Sequence, residues 1–225
     1  MNRKPLRMVS LALCAFSALM FVPLQAAAQA EQQKLVDAAD TTLSNFLRDP
    51  EMKWLQQNIG RARAVLIAPE IVKAGFIFGG SGGRAVLIAK EGGKWRGPSF
   101  YTMATASVGF QAGVQVSENV TLVMTEKGMN SMLAANFKIG GDASVAAGPV
   151  GAGAKSDVTA DLIAFSRAKG VYGGVNLDGT LVNLTDDWNK NYYGKPVQPV
   201  DILIKGAVSN KGAAKLLGDV AKAGK

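Results

Sequence analysis

The chain has 225 residues, with 25 Lys plus Arg against 17 Asp plus Glu, a formal charge of +8. It has no histidine and a single cysteine, Cys14. These counts exclude Ser-His-Asp and Cys-His catalysis, His-ligated zinc, an intramolecular disulfide and a multi-cysteine metal centre.

Residues 1–30 read as a secretory signal peptide. Arg3, Lys4 and Arg7 precede an apolar run from Met8 to Val22, Pro23 breaks it, and Ala28-Gln29-Ala30 supplies a small-x-small cleavage pattern. A retained membrane anchor is the alternative, but the run of roughly 15 residues is short of the ~20 that span a bilayer. Lipidation at Cys14 is the weaker reading, because bulky Leu13 stands where a lipobox carries a small residue. Removing this segment leaves 22 basic and 17 acidic residues, +5, and no cysteine, which suits an oxidising periplasm or envelope.

Glu31 to Arg48 has the period of an amphipathic helix, with Leu35, Val36, Ala39, Leu43, Phe46 and Leu47 on one face. Asp49-Pro50 ends it or kinks it into a second helix carrying Met52, Leu55 and Ile59, closed by Gly60. From Ala62 the grammar is that of strands. Ala64–Ile67, Ala74–Phe78 and Arg84–Ala89 are short apolar runs, and Gly79-Gly80-Ser81-Gly82-Gly83 between the last two reads as a loop. Glu91 to Lys94 is a further turn. Ser107 to Ser117 alternates, with Val108, Phe110, Ala112, Val114 and Val116 on one side, predicting one half-buried strand. Glu118-Asn119 is expected to turn the chain into Val120–Thr125. A short helix with Met129, Met132 and Leu133 follows, then a Gly/Ala-rich stretch from Gly140 to Ala154. Leu162–Arg167, Val171–Leu177 and Thr180–Leu184 read as a meander, with Asp178-Gly179 as a hairpin turn. Asp186–Tyr193 reads as a helix, Pro196 and Pro199 as a link, and Asn210–Ala223 as a C-terminal helix.

Strands that succeed one another without long crossover helices predict an antiparallel α+β domain. The expected class is α+β: largely antiparallel, strongly twisted β-sheet layers, helices at the N- and C-terminal ends, and β/β/α-type layering.

The chemical-looking motifs lack their context. Gly79 to Gly83 matches G-x-S-x-G and Gly80 to Ala85 matches G-x-G-x-x-A, but a Val-Leu-Ile run follows where either motif needs a helix. The backbone amides there, with Arg84, form a candidate anion site. Asp142, Asp157, Asp161, Asp178, Asp186 and Asp187 lack calcium-loop spacing, so no metal and no cofactor is implied. Glycines 109, 113, 148, 151, 153, 173 and 174 fall in or beside strand-like segments. Dense sheet packing accounts for them more simply than a lipid-chain groove, the functional alternative. Residues 196–225 carry Lys205, Lys211, Lys215, Lys222 and Lys225 against Asp201 and Asp219. With Leu216, Leu217 and Val220 they form a basic amphipathic helix, which suits an anionic membrane surface or a solvated face docked on the core. Nucleic acid is not expected as a partner, since the basic residues form no aromatic-studded stripe.

Four stretches in order resemble the SYLF lipid-binding family: Lys73 to Ser81 (KAGFIFGGS), Ser107 to Gln115 (SVGFQAGVQ), Asp142 to Gly151 (DASVAAGPVG), and Phe165 to Gly170 (FSRAKG) running on to Asn176 to Gly179 (NLDG). The likeness covers roughly Arg61 to Gly194. The family often has Arg straight after Gly-Gly-Ser, whereas here two more glycines precede Arg84. The resemblance implies a single domain over residues 31–225 that binds phospholipid without catalysis. Eukaryotic members bind phosphoinositides, partly through an amphipathic N-terminal helix, and some bind actin filaments. Actin is not expected as the partner of an exported bacterial-type protein.

The expected contacts follow. Phe46, Leu47, Trp54 and Leu55 supply apolar insertion. Lys53, Arg61, Arg63 and Arg84 pair with headgroups, the loop at Ser81 assists, and Lys205, Lys211, Lys215 and Lys222 face an anionic surface. The alternative is an envelope protein that recognises another protein, in which Leu35, Leu43, Phe46 and Trp54 are core.

Overall fold

A computed structural model describes residues 22–75, 78–108, 113–151, 159–168, 171–172 and 177–224. Helix α1 spans Val22–Arg48. It begins ahead of the expected Glu31 because Gln25 to Ala30 is built from strong helix formers and Pro23 sits in the tolerated first turn. Asp49 caps the 3-10 turn Pro50–Met52, its carboxylate accepting from the Glu51 N–H at 3.0 Å. Helix α2, Lys53–Asn58, and a 3-10 turn, Ile59–Arg61, lead into the sheet.

The strands are β1 Ala64–Gly75, β2 Phe78–Glu91, β3 Lys94–Val108, β4 Gly113–Val123, β5 Asn136–Lys138, β6 Val145–Ala147, β7 Leu162–Ala168, β8 Val171–Tyr172 and β9 Leu181–Leu184. Helix α3, Glu126–Leu133, follows β4. Helix α4, Asp186–Tyr193, a π-helix Val200–Lys205, a 3-10 turn Lys211–Ala213 and helix α5, Ala214–Ala223, follow β9. The sheet order is β5-β9-β3-β2-β1-β4-β7-β6, with β8 on β7. Among the described residues all strand pairings are antiparallel except β6 with β7. The α+β class and its terminal helices are as the sequence predicts.

Both faces of the sheet are buried around its centre. One core holds Leu66, Leu87, Tyr101 and Met103 with Phe137, Ile202 and Leu203. The other holds Val65, Ile67, Val86, Ile88, Phe100 and Val120 beneath α1, α2 and α5. That is why β1 opens as an unbroken apolar run. Pro69 interrupts it. The registers of β1 shift between Ile67 and Glu70 against β2, and between Ala68 and Ile71 against β4. Proline cannot donate to a ladder and is accommodated at such a bulge. The residue after the last helix abuts the turn that leads into β1: a Cβ on Gly60 would lie 2.5 Å from the Gly224 carbonyl oxygen.

Several expectations are corrected. Gly79 to Gly83 is the start of β2, not a loop, since it is paired on one side with β1 and on the other with β3. Two flanking ladders outweigh the weak strand preference of glycine. Ser107 to Ser117 is not one strand. Its ends belong to β3 and β4, and residues 109–112 lie outside the described residues, as do Phe76 and Ile77. Glu118-Asn119 is no turn but the middle of β4, with Asn119 fully buried. The segments after Leu162 form the expected meander only in part: β7 pairs with β8, and also with β4, but β9 pairs with β3 and β5. The turn at Asp178-Gly179 is present, with Gly179 at φ +81° and the Thr180 N–H on the Leu177 carbonyl, although it joins no adjacent pair. The expected proline link contains the π-helix, which buries Ile202 and Leu203. Of the glycines read as strand-associated, Gly109, Gly153, Gly173 and Gly174 lie outside the described residues. Gly148 is there for packing, its Cβ position being 2.3 Å from the Phe165 ring.

Candidate functional site

The sheet outruns the helix that covers it. Beyond the Pro69 bulge, β1 to β4 continue past α1 with the helix-side face uncovered. Antiparallel partners share a face, so the register sets Val116, Val72, Gly82, Ala104 and Leu181 in one row across five strands. Val114, Ala74, Gly80 and Ala106 form the next row. Val72 and Val116 are each 37% exposed, Leu181 50% and Val114 65%. The alternation that predicts burial of Val114 and Val116 is therefore a true strand signal on a face that no layer of the described residues covers.

Where α1 meets this face a groove of about 730 Å³ opens. Leu35, Ala38 and Thr42 of α1 form one wall, and Glu70, Gly82 and Arg84 lie on the floor. The Arg84 guanidinium sits 4.2 Å from the centre of the Trp188 ring. Trp188 projects from α4 and is braced edge-on against Phe100 at 5.9 Å. The other charges at the rim are engaged. Lys34 Nζ donates to Glu31 at 2.7 Å, and this hydrogen bond holds the Glu31 carboxyl below the usual carboxylate range. Glu118 accepts from Arg167 at 2.5 Å and from Thr42 at 3.3 Å.

The expected site residues divide. Phe46 and Leu55 are fully buried, so in the folded chain neither reaches a bilayer, because α1 turns its apolar stripe onto the sheet. Trp54 is half-buried against Phe165 at 5.9 Å. Leu47 lines a separate cleft of about 410 Å³ between α1 and α5. Lys53, Arg61 and Arg63 are exposed, and Arg61 donates to Asn58 at 3.1 Å. Arg61 and Arg63 precede the start of β1, whereas Arg84 pairs with Glu70 in its middle. Ser81 faces the other side of the sheet, beside Ile71 and Met103, so it and Arg84 do not converge.

The C-terminal lysines are largely neutralised. Lys205 pairs with Asp201 at 2.9 Å and Lys222 with Asp219 at 3.0 Å. Lys215 bridges buried Asp40 of α1 and Asp219. Its ammonium is held above the usual lysine range, first by the hydrogen bond to Asp40 and then by that to Asp219. Lys211 is exposed and makes no ion pair among the described residues.

Glu70, Trp188 and the uncovered rows are functional candidates that sequence reasoning misses. Only the run of small residues from Gly79 to Gly83 hints at them. Among the described residues no three acids or other donors gather as a metal site, and no helix is long and apolar enough to cross a membrane.

A family described as Ysc84, Las17-binding protein actin regulator, matches residues 104–223, from the distal part of β3 through α5. The chain belongs to this family, the SYLF family of the motifs above. It is 32% identical over 142 residues to protein YSC84 of Saccharomyces cerevisiae, covering 60% of this chain and 30% of that protein. It is 28% identical over 151 residues to SH3 domain-containing YSC84-like protein 1 of Homo sapiens, covering 64% and 44%. The chain thus spans less than half the length of these curated relatives. The family match reaches beyond Gly194 and includes the π-helix and α5.

Proposed function

We propose that the protein is an exported, non-enzymatic phospholipid-binding protein of the cell envelope, with residues 1–30 as its export signal and residues 31–225 as one lipid-binding domain. The observation that supports this reading is the apolar face left uncovered beside Arg84. Covering each half-exposed Val or Leu with hydrocarbon gains about 1 kcal/mol. Four such side chains therefore contribute about 4 kcal/mol, whereas micromolar binding needs about 8 kcal/mol. Apolar contact alone falls short, and the charged groove next to it supplies the rest. Insertion of α1 is the less favourable route, since exposing Phe46 and Leu43 would sacrifice core burial.

The test is co-sedimentation with anionic and with neutral vesicles, at low and at physiological salt. Binding to either supports the reading, and binding to neither ends it. Recognition of another protein by the same face is the second reading. It is favoured by the intramolecular packing of α1 and by the family's description as binding proteins. A cross-link from Val114 to a protein in cells that also lack vesicle-bound material would select it.

A further inference from the structure

We infer that the groove takes one zwitterionic aminophospholipid, its phosphate on Arg84, its ammonium on Glu70 and one acyl chain along a glycine lane on β2. This rests on the phospholipid reading above and narrows its ligand.

Glu70 and Arg84 are direct partners across β1 and β2, and both are exposed in the groove. Opposite charges so placed ordinarily pair. Here they do not: among the described residues Glu70 makes no ion pair, and the Arg84 guanidinium is drawn over Trp188. A guanidinium stacked by its face keeps its edge N–H donors free for a phosphate. Lys34 is taken by Glu31, and Glu118 by Arg167. The groups left to a ligand are one cation and one acid side by side, the complement of a zwitterion. A purely anionic headgroup would satisfy Arg84 and be repelled by Glu70.

The lane begins at the next residue on the same face. Gly82 and then Gly80 leave β2 without side chains, flanked by Val72 and Ala74 on β1 and by Ala104 and Ala106 on β3. With strands ~4.8 Å apart, the two flanking rows stand about 10 Å from each other. The fold does not require glycine at 82. A Cβ there meets only the Met103 carbonyl oxygen, at an ordinary 3.6 Å. Gly83, turned to the other face, is different: its Cβ would lie 2.3 Å from the Glu70 carbonyl oxygen. Glycine is thus structural at 83 and, at 82, keeps a trough open whose head is Arg84.

The test is to incubate the protein with vesicles of phosphatidylcholine containing equal amounts of phosphatidylethanolamine and phosphatidylglycerol, then identify retained lipid by native mass spectrometry. The parent should retain phosphatidylethanolamine over phosphatidylglycerol by about tenfold, the discrimination one charge-assisted hydrogen bond supplies. Glu70→Gln should erase that preference while still retaining lipid. Gly82→Val should lose retained lipid of every kind; if this variant does not fold, Gly82→Ala and Glu70→Gln decide. Equal or greater retention of phosphatidylglycerol by the parent, or an unchanged ratio in Glu70→Gln, overturns the inference and leaves the phospholipid reading standing. Vesicle binding with no retained lipid does the same. No vesicle binding and no retained lipid overturns both.

Discussion

The helix-side face of the sheet is two surfaces made from the same strands. On the near side of the Pro69 bulge, Val65, Ile67, Val86, Ile88 and Phe100 are at most 1% exposed beneath the helices. On the far side the same strands present Val72, Ala74, Gly80, Gly82, Val114 and Val116, and no layer of the described residues lies on them. Both halves carry valine: Val65 and Val86 lie in the core, whereas Val72, Val114 and Val116 are 37–65% exposed, interspersed with Ala and Gly. What separates the halves is not hydrophobicity but whether, among the described residues, an opposing surface exists.

The comparison breaks most visibly in the covered half. Phe100→Ala should remove about 3–5 kcal/mol of unfolding free energy, because its ring is wedged against Trp188 and Tyr192. Urea denaturation checks this. Gly83→Ala should cost about 1–3 kcal/mol through overpacking at the bulge, whereas Gly82→Ala one position earlier should cost under about 1 kcal/mol. Equal effects at the two positions would contradict the assignment of one to the fold and the other to the trough.

The link between the first and last helices provides the next test. Lys215→Gln leaves the Asp40 carboxylate buried without a cation, and Lys222→Gln does not, so only the first should lower the melting temperature. The sign with pH follows from the raised Lys215 ammonium. Its contribution is complete below the ordinary lysine range near pH 10.5 and is lost as pH climbs through the raised value. Asp161 behaves in the opposite sense. Its carboxylate accepts from the Thr125 hydroxyl at 2.5 Å and the Ser144 N–H at 2.9 Å, which pull its pKa from 3.8 to about 2. That stability is complete above about pH 4 and is lost as pH falls toward 2. Asp161→Asn should flatten the acid limb of a stability profile. The smallest effect is expected in the uncovered half, where Val114→Ser should change unfolding free energy by less than about 0.5 kcal/mol.

The elements legible in the sequence are those with local causes. The 3.6-residue stripe of α1, the turn Gly92-Gly93 with φ of +58° and +76°, and the helix Asp186–Tyr193 follow from neighbours in the chain. The elements missed depend on distant partners. Gly79 to Gly83 carries no periodic signal, and β1 and β3 decide its conformation. The pairing of β9 with β3 and β5 is likewise invisible to a local pattern. The site shows the same division. Arg84 stands out as a cation behind glycines, but Glu70 reaches it only through the register reset at Pro69, and Trp188 only through the docking of α4.

The meeting of Gly60 with Gly224 bears on how the chain reaches this state. Asp40 and Lys215 are 175 residues apart, and the two glycines abut backbone to backbone. Contacts of such separation carry a large loop-closure entropy and form late. Until α5 is available, α1 has the sheet but not its helical neighbour, and the cleft lined by Leu47 and Ala223 lies open. A nascent chain therefore cannot finish its helical layer until α5 has been synthesised. Premature termination before Ala214 would yield a product whose sheet can assemble but whose first helix remains loosely held, a target for proteases.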